Sequence, residues 1–160
     1  MSWGKYLAGY FLVVSLFFAK SQLIRYWVPI EFSFFLIFFI IKSSGAARAL
    51  FMVFLLSLGL DMIFQTGQVK GMAAMGQLPL VYLVIKLKKN VVPAYEDLSL
   101  SIFFVIFYVS NYYIHMGLAA MFGVYFEPLT TPKLLFMALF HTAVFATLLL
   151  ILVKLPRGNR

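Results

Sequence analysis

Asp61 is the side chain that most needs a chemical reason to be where it is. It lies near the far end of the apolar stretch 47–65, among Leu60, Met62 and Ile63. A carboxylate within an apolar span costs about 2.5–3.5 kcal/mol at the centre of a hydrocarbon layer, so such a group faces protein and has partners. Ser57 and Gln65 lie one helical turn away on either side and share its face, and Lys70 follows in the next turn or loop. Three roles suit this pattern. The simplest is a hydrogen-bonded or ion-paired group that fixes helix position. The others are a proton relay or ligand site, and a contact to a partner protein.

Four further residues belong to the same inventory. Glu31 follows Pro29 at the opening of the apolar stretch 28–42. Negative charge in a first helical turn is favoured by about 0.3–1 kcal/mol, so Glu31 reads as a cap. Asn111 and His115 share a face of the stretch 98–121, and His141 lies midway along 133–154. Two imidazoles on facing helices suit metal binding or proton transfer. With no third ligand nearby, interhelical hydrogen bonding at about 0.6 kcal/mol each is the simpler role. The chain has no Cys, which excludes disulfides and thiolate chemistry. It has no H-E-x-x-H, no G-x-S-x-G and no phosphate-binding glycine loop. No motif supports an enzyme, a bound metal or a cofactor.

The elements that position these residues are apolar blocks. Hydrophobic residues make up 64% of the 160 and charged residues 11%, with a mean hydropathy of +0.99. A water-facing surface cannot be assembled from that composition. Stretches such as Leu98–Met121 and Leu134–Val153 are long enough for a hydrocarbon core of about 30 Å. The reading is all-α: one integral membrane domain over 1–160, with six spans near 3–24, 28–42, 47–65, 70–87, 98–121 and 133–154. The first resembles a signal peptide, with Lys5 before the run Tyr6–Ala19, but five apolar blocks follow, so it reads as a first membrane helix. Its uncharged core is about 21 Å long, so the span needs Lys20 to reach the headgroups. Pro29 suits a first helical turn, and Pro79 should kink the fourth span.

The charges orient the bundle. With the N-terminus inside, nine basic residues are cytoplasmic: Lys5, Lys42, Arg48, Lys86, Lys88, Lys89, Lys154, Arg157 and Arg160. Four are outside: Lys20, Arg25, Lys70 and Lys133. That bias places both termini in the cytoplasm. The net charge of +8 is then a topology and lipid-headgroup signal rather than a nucleic-acid footprint. Lys86, Lys88 and Lys89, followed by Pro93 and Glu96-Asp97, form a basic-then-acidic cytoplasmic loop. Ser43-Ser44-Gly45 and Thr66-Gly67-Gln68 are tight reversals, and Gly67-x-x-x-Gly71 reads as turn rather than packing face. Tyr125–Lys133, with Glu127, Pro128 and Pro132, is the main outer loop.

Two segments in order carry a family resemblance. Pro29-Ile30-Glu31-Phe32-Ser33-Phe34-Phe35-Leu36 opens a span, and Gly59-Leu60-Asp61-Met62-Ile63-Phe64-Gln65-Thr66-Gly67-Gln68-Val69-Lys70-Gly71 ends one with an acidic residue before a polar reversal. Both resemble the rod shape-determining protein MreD family, as do the length, the six-span layout and the basic run at Lys86–Lys89. At Glu31 that family more usually carries Asp or Asn. The resemblance implies a non-enzymatic scaffold of the bacterial cell-elongation machinery in the inner membrane. It implies MreC as partner, RodA and a class B penicillin-binding protein through the complex, and MreB on the cytoplasmic side. It also implies a fold similar to the substrate-binding subunits of energy-coupling-factor vitamin transporters. That kinship supplies the alternative function, small-molecule capture. Such a binder needs convergent polar groups, and the outer-half candidates are few: Glu31, Asp61, Gln65, Gln68, Lys70 and Glu127.

Overall fold

The computed structural model describes residues 3–23, 32–64, 69–91, 95–125 and 128–154. Glu31, Gln65, Gln68 and Glu127, the opening at Pro29 and the reversal Thr66-Gly67-Gln68 lie outside them. The described residues are all-helical, with six helices among them: α1 Trp3–Leu23, α2 Phe32–Ser43, α3 Ala46–Phe64, α4 Met72–Lys88, α5 Glu96–Met121 and α6 Thr131–Lys154. Among the described residues, α5 and α6 are long and apolar enough to cross a membrane.

The shortest helix is the centre of the molecule. Residues 33–41 of α2 are buried except Phe39, which is partly so. A helix apolar all round has no side to give to solvent, and α2 is accordingly enclosed by its neighbours. Its rings interlock with those of α5 and α6: Phe35 stacks on Phe104 at 5.6 Å, Phe38 lies 5.5 Å from Phe145, and Phe104 stacks on Phe145 at 4.8 Å. Offset-stacked and edge-on pairs of this kind add about 0.5–1.5 kcal/mol beyond the area they bury. Around α2, the helices α3, α4, α5 and α6 pack successively against one another, and α1 lies against α2 and α3. Tyr6 of α1 donates its hydroxyl to the Met52 carbonyl of α3 at 2.9 Å, and Gly59 of α3 leaves room for the Tyr10 hydroxyl, which would otherwise meet a Cβ.

Helix ends follow local chemistry. Only Ser44 and Gly45 separate α2 from α3. α5 starts at Glu96, two residues earlier than the apolar pattern suggests, because Glu96 and Asp97 occupy its first turn and complement the helix dipole. It stops at Gly123, whose φ of 66° is readily adopted only without a side chain. The Val124 amide bonds the Ala119 carbonyl and the Gly123 amide that of Ala120, a Schellman closure. The helix of α4 continues through Pro79.

The end of the bundle where α2 and α4 finish and α5 begins is tied by charge. Lys88 donates to the carbonyls of Ile41 and Lys42 at 3.1 and 3.2 Å, closing the last turn of α2, and pairs with Glu96 at 3.0 Å. Lys42 pairs with Asp97. The basic loop expected over Lys86, Lys88 and Lys89 is therefore divided: Lys86 and Lys89 are exposed, while Lys88 is half-buried and holds three helices together.

Candidate functional site

At the opposite end of the same helices lies a buried polar layer. α4 begins at Met72 with Gly71 in the cap position, at φ 88° and with no side chain to offer the first amides. Those amides have no intrahelical acceptor, and a start without a cap is costly. Asp61, from the preceding helix, supplies what Gly71 lacks: its Oδ2 accepts the Ala73 amide at 2.9 Å. The carboxylate thus sits at the positive end of α4, 2% exposed. The charge-assisted bond and the dipole both favour it there.

One turn back along α3, the Ser57 hydroxyl donates to Oε1 of Gln77, one turn on from Ala73 in α4. Both side chains are buried. The antiparallel pair α3–α4 is thereby stitched twice, first by Asp61 and Ala73 and then by Ser57 and Gln77.

α5 closes the layer from the other side of α4. A Cβ built on Gly76 would come within 2.7 Å of the His115 Cδ2 and 2.8 Å of its Nε2, so only glycine lets the imidazole lie this close to the α4 backbone. Asn111, one turn along α5 on the same face, is also buried. The Asn111 Oδ1 and His115 Nε2 are both enclosed and meet no hydrogen-bond partner. A buried polar atom left in that condition costs about 1–3 kcal/mol, so the layer holds these two atoms at a real energetic cost.

Of the residues singled out by type and spacing, the fold brings Asp61, Asn111 and His115 into this layer. His141 is elsewhere. It is wholly buried, its Nδ1 lies 2.6 Å from the Met137 carbonyl, and its ring packs 4.9 Å from Tyr108 and 6.1 Å from Phe35. The two imidazoles thus have separate surroundings. No group of three or more His, Cys, Asp or Glu among the described residues could hold a metal. Two members of the layer escaped the sequence reading, Gln77 and Gly76. Their signal was present: Gln77 is the lone amide in an apolar stretch and lies four residues from Ala73, the amide that Asp61 caps.

No family model, no curated protein and no solved structure matches the chain.

Proposed function

We propose that the chain is a non-enzymatic scaffold subunit of the bacterial cell-elongation complex, embedded in the inner membrane with six spans and both termini cytoplasmic. Its partner on this reading is MreC. RodA, its class B penicillin-binding protein and MreB join through the complex, and lipid surrounds the rest. One observation carries the reading. The Gly59-Leu60-Asp61 helix end, the segment that resembles the MreD family, acts as a joint: its carboxylate starts the next helix. A buried charge used for architecture is what a rigid holder of other helices requires.

The surface supports the same view. Large apolar side chains are exposed on all the long helices, among them Leu7 and Phe11 of α1, Phe51 of α3, Tyr82 of α4, Ile102 and Ile106 of α5, and Phe136 and Leu139 of α6. Apolar cover spread so widely suits lipid and partner helices, since close packing and scattered hydrogen bonds drive association in a bilayer. The charged end of Lys42, Lys88, Glu96 and Asp97 becomes the cytoplasmic face, and the polar layer lies in the outer half.

Depletion in a rod-shaped host tests this. Cells should round up, and MreC should no longer co-purify with the wall-synthesis enzymes. Retained rod shape, with saturable binding of a radiolabelled vitamin to the purified protein, would replace the scaffold by the capture subunit.

A further inference from the structure

We infer that Tyr82, Lys86 and Lys89 form a site for the headgroup of an anionic phospholipid at the charged end of the bundle. The site rests on the membrane placement proposed above and on none of the scaffold's partners.

The charges at that end are unevenly shared. Three carboxylates fall among the described residues, and one of them, Asp61, is at the far end. The other two are engaged: Glu96 pairs with Lys88 and Asp97 with Lys42. Both pairs lie where α2, α4 and α5 meet, so their charge serves to hold those helices together. Lys86 and Lys89 are exposed, and neither is within ion-pairing distance of a carboxylate among the described residues. One helix end therefore presents two cations with no counter-ion of their own.

The two lysines share a face with Tyr82. Lys89 closes α4 with φ −60° and ψ −24°, a right-handed helical conformation, so the helical register runs on through it. Positions 82, 86 and 89 then follow one another turn by turn along a single stripe. Lys86 and Lys89 stand about 4.5 Å apart along the axis, within a headgroup layer about 5–7 Å deep, and Tyr82 lies about 6 Å further into the bilayer. Tyr82 is 56% exposed, with Leu83 and Leu87 exposed beside it. Like charges one turn apart repel each other, and a single phosphate between them relieves both. The tyrosine ring suits the boundary between headgroups and chains, and the lysine stems can lie along the apolar surface. An acidic protein could neutralise the lysines, but it would leave Leu83 and Leu87 to lipid in any case. One lipid molecule meets the charge and the apolar surface together, and the cytoplasmic leaflet is the one that carries anionic lipid.

Fluorescence quenching in bilayers tests the site. Tyr82→Trp, combined with Trp3→Phe and Trp27→Phe, leaves a single indole in the chain, at the site. Brominated phosphatidylglycerol mixed into phosphatidylcholine should quench it with a preference of at least about fivefold over phosphatidylcholine, the attraction of one lysine near an anionic surface. Salt should weaken the preference. Lys86→Gln together with Lys89→Gln should bring it to within about twofold of unity. Lys70→Gln, exposed at the other end of the helix, should leave it unchanged. A preference near unity with both lysines present overturns the site and gives the pair to an acidic protein partner. A preference that survives the loss of both lysines overturns it too. An indole that brominated phosphatidylcholine fails to quench overturns the membrane placement and the site with it. Cell rounding and MreC release enter none of these readings, so the scaffold can fail while the site stands.

Discussion

The two ends of α4 are anchored by opposite means. At one end Lys88 and Lys42 meet Glu96 and Asp97 in pairs that are partly open to solvent, with side chains 23–45% exposed. At the other, Asp61, Ser57, Gln77 and Asn111 are all nearly sealed. Both ends close helix termini with a side chain from another helix: Lys88 on the carbonyls of α2, Asp61 on an amide of α4. The lesson is that the same kind of contact carries different energies. An exposed ion pair exchanges water for a partner at little gain, about 0–1 kcal/mol. A buried group deprived of its partner keeps the whole desolvation penalty, about 1–3 kcal/mol.

Substitutions at the two ends should separate accordingly. Asp61→Ala should be the most damaging, lowering stability by about 1–3 kcal/mol in a detergent unfolding titration, because the Ala73 amide at the start of α4 loses its side-chain acceptor. Asp61→Asn retains an acceptor and should cost less. If both variants lose function equally at undiminished protein level, the charge itself is needed. Ser57→Ala should come next, at about 1 kcal/mol, since the buried Oε1 of Gln77 loses its donor. Lys42→Ala and Asp97→Asn should each cost less still. Their double-mutant cycle should return a coupling within about 0–1 kcal/mol that shrinks as salt is added. A coupling well above that range, unaffected by salt, would mean that the charged end behaves as interior.

The proposed orientation can be tested at both ends. With the charged end cytoplasmic, cysteine placed at Asn90 should resist a membrane-impermeant thiol reagent in intact spheroplasts, and cysteine at Thr130 should react. Labelling of Asn90 alone would invert the two ends.

Composition and the positions of Gly, Pro and charge were enough to mark six helices, because a helix in an apolar chain is bounded by local breaks in the apolar run, although the acidic first turn that starts α5 at Glu96 was read as loop. Asp61 stood out for an equally local reason, the cost of a carboxylate among Leu60, Met62 and Ile63. Its partner did not, since nothing in the order of residues says that the Ala73 amide folds back onto it across the reversal. The central place of α2 was hidden for a related reason. In a helix apolar on every face, no polar stripe separates the side that packs from the side that faces outward. Only the tertiary structure decided that the shortest helix is the core, that Gly76 admits His115, and that Gln77, rather than a second charge, completes the layer. Those are contacts between distant segments, set by how the helices pack.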